Sequence, residues 1–464
     1  METRELSRRL GAWDAGAIVV GTIIGSGIFI VPGSIARTLP SADWMLGIWV
    51  AAGALSLCGA LAFAELGAMF PHTGGLYVYL REAYSPLWAF LFGWVLLLVL
   101  RSGGSAALAV GFSIYLGYFI PLSPLGGKLA AAGVTLALTW LNYRSVSGGV
   151  AVQRTTTVLK VAGLLLVTGG ALAYQTQPAV ETVASMPAWG SSEIGVAMIA
   201  CLWAYSGWFQ VGFVAGEIKD PRRNLPLSLV LGVGVVIALY LLANVAYLNV
   251  LSPDEIAATD RVAALVAERV FGSAGGTIVS LTILISILGA LNAGILAGPR
   301  VYFAQARDGL FFRKFGEVHP RFETPGLAVL LQGVWAAILS LSGSYVGLFS
   351  FVMFAGWIFF GLAVVGVIVL RVKRPELERP YRMWGYPVTP VLFALASAWL
   401  LANTLVAAPL PSLAGLLLIA CGIPVYFGWR RWGGPGDGTL IFAAGEQEQE
   451  QEQEQETPRL RVGL

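Results

Sequence analysis

The chemistry this chain could perform is concentrated in Gly21-Thr22-Ile23-Ile24-Gly25-Ser26-Gly27-Ile28-Phe29, in the middle of its first apolar segment. Three glycines and a serine lower helix propensity there and remove the side chains that would shield the backbone. A break would set the carbonyls of an inner half-helix, near Ile23 and Ile24, against open N–H groups of an outer half at Ser26, Gly27 and Ile28. An amino acid matches that pattern. Its carboxylate takes charge-assisted hydrogen bonds from the N–H groups, and its ammonium donates to carbonyls. Taken alone, the cluster reads more simply as a close crossing of two helices. A second weak point, Tyr205-Ser206-Gly207, shifts the balance, and the carbonyl of Trp203 beside it is the other acceptor for the ammonium.

The elements that must position these groups are membrane helices. The chain has 464 residues, of which 57% are apolar and 12% charged, with a mean hydropathy of +0.75. That is far from the balance of a soluble domain. Apolar runs predict an all-α membrane protein of twelve transmembrane helices, near 12–39, 44–70, 86–119, 128–142, 156–173, 193–216, 226–251, 271–304, 325–342, 345–371, 387–407 and 412–432. The first run lacks an A-x-A cleavage pattern and is read as a retained helix. Hydrocarbon cannot solvate freed backbone groups, so a broken helix is expected only where it lines a cavity or meets a ligand.

Arg4, Arg8, Arg9, the Lys219/Arg222/Arg223 loop, the loops 300–321 and 371–382, and Arg430/Arg431 fall on one side. The opposite loops hold only Arg37, Lys128, Arg261 and Arg269. The positive-inside rule then makes both termini cytoplasmic, in a multi-pass plasma (inner) membrane protein. The net charge of +3 is a topological signal, and nothing suggests nucleic acid as a partner. Cys58, Cys201 and Cys421 lie in apolar spans without paired spacing, and His72 and His319 lack partner ligands, so no metal, cofactor or enzymatic activity is expected.

Five spans separate the two breaks, which therefore run in opposite directions. That predicts an inverted repeat of five plus five helices, at 12–173 and 193–371, with a site at their interface. An N-terminal segment 1–11 precedes the repeats. Two further helices at 387–432 and a Glu/Gln-rich low-complexity tail at 433–464 follow. Ser252-Pro253-Asp254-Glu255 predicts an outside capped helix lying over the vestibule. Glu65 reads as a snorkelling residue or a proton carrier, whereas Arg101, deep in the third span, must face a cavity or a partner.

Gly21 to Phe29, Ala64-Glu65-Leu66-Gly67, Arg223-Asn224-Leu225-Pro226, Pro375-Glu376-Leu377-Glu378-Arg379-Pro380 and Gly422-Ile423-Pro424-Val425-Tyr426-Phe427 together resemble the amino acid-polyamine-organocation transporters, and among them the L-type amino acid exchangers. The resemblance covers about residues 13–430. It implies a LeuT-like fold, a substrate carboxylate at Gly25, Ser26 and Gly27, a substrate amine at Ile23 and Trp203, and an aromatic gate at Trp203. The side-chain pocket would fall at Tyr205 and Ser206, where the Ser206 hydroxymethyl group is expected to crowd bulky substrates.

Lys160 resembles the lysine that sodium-independent members carry on helix five. Its ammonium would replace a cation, donating to carbonyls of the inner half-helix and to the Ser286 hydroxyl. Without the resemblance, the same lysine reads as a snorkelling anchor. Relatives that pair with a glycoprotein carry a cysteine after span three; Pro121-Leu122-Ser123-Pro124 has none, so no disulfide-linked heavy subunit is expected. The sequence thus reads as a sodium-independent transporter, an exchanger of neutral L-amino acids across the lipid bilayer. A proton-coupled symporter of amino acids or amines, a non-transporting amino-acid sensor and a major facilitator fold stand as alternatives.

Overall fold

The computed structural model describes residues 6–174, 190–342 and 345–432. The Glu/Gln tail and most of the polar loop after the fifth span lie outside them. The described chain is helical throughout, and ten helices are long and apolar enough to cross a membrane. Two of the twelve expected spans fall short of that criterion. The helix Gly326–Ser342 is apolar but has only 17 residues, and Pro124–Arg144 is too polar.

Both expected breaks are present. Helix α1 (Ala12–Ile23) stops at Ile24, whose ψ of 89° leaves the helical region, and α2 (Gly27–Thr38) resumes three residues later. Helices α3 (Ala42–Met69), α4 (Leu76–Ala83) and α5 (Pro86–Val95) follow. A π-helical turn, Leu96–Leu100, then leads into α6 (Arg101–Leu116). Next come α7 (Pro124–Arg144), α8 (Val146–Ala173) and α9 (Ser191–Ala204). Here the chain turns through Gly207 at φ +121°, a conformation closed to most L-residues, and continues as a tight 3-10 helix, Trp208–Glu217.

Helix α10 (Pro221–Val250) packs along α3 and α1. The short helices α11 (Pro253–Ala257) and α12 (Val262–Phe271) precede α13 (Ser273–Ala297) and α14 (Pro299–Arg307), which meet at Gly298 with Pro299 at the first position of α14. The described residues end in α15 (Gly326–Ser342), α16 (Tyr345–Lys373), α17 (Val388–Ala407) and α18 (Pro409–Trp432).

Two boundaries correct the sequence reading. Helix α8 starts at Val146 rather than near 156, because the polar run Gln153 to Thr157 is helical, with Gln153 and Thr157 turned toward the carbonyl of Ala17 in α1. Lys160 therefore sits in mid-helix and fully buried, which removes the snorkelling alternative. Helix α10 begins at Pro221, five residues before the expected start, with proline in its first turn where no N–H partner is needed.

The expected capped helix is α11. Ser252 Oγ accepts from the Glu255 N–H at 3.3 Å, and Glu255 Oε2 accepts from the Ser252 N–H at 2.9 Å. The Arg269 guanidinium beside it, with the Ser252 N–H, holds the Glu255 carboxyl down at about 2. Arg37 ties α2 to this cap by donating to the Ala257 carbonyl at 3.1 Å and pairing with Asp260 at 3.0 Å.

Ion pairs gather at the end of the bundle where α1 begins. Asp14 pairs with Arg154, and the buried Glu217 takes two bonds from Arg300, at 2.7 and 3.1 Å. Glu65 is fully buried and accepts from Arg371 at 2.9 and 2.6 Å and from the Met383 N–H at 2.7 Å. With its oxygens so occupied, Glu65 is an anchor between α3 and α16. Glu65→Leu should lower the unfolding free energy in detergent by about 3 to 5 kcal/mol, because it leaves Arg371 without its partner. Arg9→Gln, which removes the exposed pair to Glu323, should cost about 1 kcal/mol or less. Thermal unfolding of the purified variants checks the contrast.

Candidate substrate cavity

The two breaks face each other. Thr22 Oγ1 donates to the Gly207 carbonyl at 3.1 Å, and a Cβ at Gly207 would stand 2.8 Å from the Thr22 carbonyl oxygen, so only glycine lets the strands of backbone meet. Between the breaks lies a cavity of about 120 Å³. Ile23, Gly25, Ser26 and Gly27 line it from the first break, and Trp203, Ser206 and Gly207 from the second. The N–H groups of Ser26, Gly27 and Ile28 find no acceptor among the described residues, and the buried Ser26 hydroxyl is likewise without a partner.

The three residues Gly25-Ser26-Gly27 divide the two readings of the sequence between them. A Cβ at Gly27 would lie 2.8 Å from Ala204 Cα, so α2 and α9 cross closely here. A Cβ at Gly25 would meet nothing within 4 Å, since that residue opens on the cavity. The carbonyls expected for a substrate ammonium already have donors. Ile23 accepts from Tyr240 Oη at 3.1 Å and from the Gly25 N–H at 2.8 Å, and Trp203 accepts from the Ser206 N–H at 3.0 Å and from the Tyr205 N–H.

Tyr205 does not reach the cavity. Its ring is buried on the far side, edge-on to Trp49 with centroids 5.6 Å apart and 5.0 Å from the ring of Tyr240. Its neighbours Trp203, Ala204 and Ser206 line the cavity instead. Ser206 also borders a small neighbouring void walled by Trp208, Phe360 and Phe393.

Behind the first break, Lys160 Nζ donates to the carbonyls of Gly21 at 2.9 Å, Ile24 at 2.7 Å and Ser286 at 2.9 Å. Three donors meet three acceptors, so a buried ammonium is fully satisfied. Lys160 meets Ser286 through a different atom from the hydroxyl expected. The Ser286 main-chain carbonyl receives Lys160, while its hydroxyl serves the Ile24 and Gly25 carbonyls at 3.0 and 2.9 Å.

Tyr240, not picked out from the sequence, bridges the breaks, its hydroxyl lying 3.1 Å from the Ile23 carbonyl and 3.2 Å from that of Ala204. A tyrosine in mid-span was the available signal, since a buried phenol needs a polar partner. Arg101 and Gln210 also line the cavity.

Sequence comparison agrees with this geometry: the model of the family described as amino acid permease matches residues 10–428. The chain belongs to the amino acid permease family. It is 34% identical over 446 residues to the human b(0,+)-type amino acid transporter 1, covering 93% of this chain and 91% of that protein. The serine/threonine exchanger SteT of Bacillus subtilis is 33% identical over 437 residues, covering 93% of this chain and 98% of that protein. The human cystine/glutamate transporter is 32% identical over 440 residues, covering 93% and 87%. Members of this family are membrane transporters rather than enzymes, and this permease is a multi-pass membrane protein whose relatives include L-type transporters and exchangers.

The glycines give a direct test. In this permease Gly25→Val should cut amino-acid binding by roughly tenfold or more while the protein stays monodisperse, because the side chain fills the cavity alone. Gly27→Val should instead lower thermal stability, because it drives α2 off α9. Equal stability losses for the two, with binding intact at Gly25→Val, would show that the cavity is not the binding site.

Proposed function

We propose that this permease exchanges neutral L-amino acids without sodium, by alternating access around the two breaks. The observation that carries the reading is the cavity bounded by both interruptions, with N–H groups that find no acceptor among the described residues on one wall and, on another, carbonyls whose present donors an ammonium would replace. A zwitterion complements both walls, its carboxylate on Gly25, Ser26 and Gly27 and its ammonium on the carbonyls of Ile23 and Trp203. The indole of Trp203, which lies against Gly27, acts as the gate, and Ser206 limits side-chain size.

Sodium independence is supported by Lys160. A fixed ammonium occupies the carbonyl cage at the end of α1 where a coupling cation would bind, and it is saturated by its three acceptors. In the same reading the chain has twelve spans, the helices α7 and α15 completing two inverted repeats of five on a LeuT-like plan. Both termini are then cytoplasmic in the plasma (inner) membrane. The ion pairs Asp14–Arg154 and Glu217–Arg300 close the cytoplasmic side and must part when the site opens inward. No disulfide-linked heavy subunit is invoked for this chain.

Initial-rate uptake into proteoliposomes tests the proposal. Uptake of labelled leucine or serine should be unchanged when choline replaces sodium, and should rise when the lumen is loaded with unlabelled amino acid. Lys160→Ala should reduce transport more than it reduces thermal stability. A strict sodium requirement, or uptake driven by an imposed proton gradient and indifferent to internal substrate, would overturn it.

A further inference from the structure

Far from the cavity, an aromatic cluster joins two segments 120 positions apart in the sequence. Trp429, near the end of α18, donates its indole N–H to the Gly309 carbonyl at 3.0 Å. The ring of Phe312 stands edge-on to that indole with centroids 4.6 Å apart, and the ring of Phe311 lies parallel to it at 6.4 Å. Phe315 completes the cluster, 5.1 Å from Phe311. Packed as it is on Trp429, Phe312 still leaves 57% of its surface exposed, and Phe427 on α18 leaves as much. The loop that carries Phe312 lies at the end of the bundle where α1 begins, since Arg9 pairs with Glu323 farther along it.

The same contacts gather charge. Arg313 and Lys314 follow Phe312, and Arg430 and Arg431 follow Trp429. All four are exposed, and none joins an ion pair among the described residues. Arg430 lies against the ring of Tyr426, 5.8 Å from its centroid, rather than against a carboxylate. The nearby Asp308 does not neutralise them, because it is buried and held by Arg81 and Tyr77. Exposed rings between two pairs of free cations, at the end of a membrane helix, form a surface with both an apolar and an anionic requirement.

We propose that this cluster binds an anionic phospholipid at the inner surface of the membrane. Arg313, Lys314, Arg430 and Arg431 receive the phosphate, and Phe312 and Phe427 lie against the glycerol and the first methylenes of the acyl chains. A lipid seated there staples the loop after α14 to α18. The acidic Glu446–Glu456 tract of this chain would satisfy the cations but offers nothing to the exposed rings, so charge and apolar surface together favour the lipid. The inference rests on the cytoplasmic reading of this end of the bundle and is independent of the substrate cavity.

Titration of the full-length detergent-purified protein with phosphatidylglycerol or with phosphatidylcholine of the same acyl chains, read as retained lipid by native mass spectrometry, tests it. Detergent has no sidedness and the readout no transport, so a failure here is distinct from a failure of the topology or of exchange. Phosphatidylglycerol should bind about tenfold more tightly or better. Arg313→Gln with Lys314→Gln, and separately Arg430→Gln with Arg431→Gln, should each weaken it about fivefold for every charge removed. Phe312→Ala should weaken both lipids alike. Arg321→Gln, which removes an exposed cation of the same loop outside the cluster, should change neither. Equal affinity for the two lipids, or a loss in Arg321→Gln matching that of the paired variants, would overturn the proposal. So would lipid binding that rises when the Glu446–Glu456 carboxylates are changed to amides in the full-length chain, since the acidic tract would then be the occupant.

Discussion

Every backbone N–H and C=O inside a bilayer must find a partner within the protein, and that constraint organises this permease. Two helices are interrupted at mid-depth, and most of the groups freed by the interruptions are met by side chains brought from elsewhere. Lys160 from α8 and Ser286 from α13 hold the carbonyls of Gly21, Ile24 and Gly25. Tyr240 from α10 sits between the carbonyls of Ile23 and Ala204. Among the described residues, the N–H groups of Ser26, Gly27 and Ile28 at the start of α2, and of Gly207, Trp208 and Phe209 at the second break, are left over. Open N–H groups beside a cavity where two interrupted helices meet are what make this place the candidate site.

The partners also define what must move together. Lys160 joins α8 to the end of α1 and to α13, and Tyr240 joins both breaks to α10, so the half-helices are tied through side chains instead of continuous backbone. At the end of the bundle away from the start of α1, Arg37 ties α2 to the α11 cap, and at the other end ion pairs hold α1 and the 3-10 segment Trp208–Glu217 to their neighbours. These contacts are discrete and few. A small number of hydrogen bonds and ion pairs exchanged for others suffices to switch between packed arrangements.

Much of this was legible in the residues themselves. Small residues at 21–27 and 205–207 announced the breaks, because helix propensity fails there whatever surrounds them, and Ser252 to Glu255 announced its own cap. Side-chain direction was not legible. Tyr205 and Ser206 are adjacent, yet one packs on Trp49 and the other meets the cavity, and only the turn at Gly207 decides which. Likewise the sequence pairs Lys160 with Ser286 but not with its carbonyl. The true start of α8 was hidden because Gln153 to Thr157 look like a loop until their polar groups are seen to face α1. Arg101 was expected to find a cavity or a partner, and it has both, bordering the cavity and donating to Gln210.

The central claim is that the backbone groups at the two breaks are the substrate's own hydrogen-bonding partners. The most direct measurement is a cryo-electron microscopy structure of the protein in nanodiscs with a transported amino acid bound. The account predicts ligand density between the breaks, its carboxylate within hydrogen-bonding distance of the N–H groups of Ser26, Gly27 and Ile28 and its ammonium against the carbonyls of Ile23 and Trp203. Ligand bound elsewhere, with those N–H groups capped by protein side chains, would contradict it.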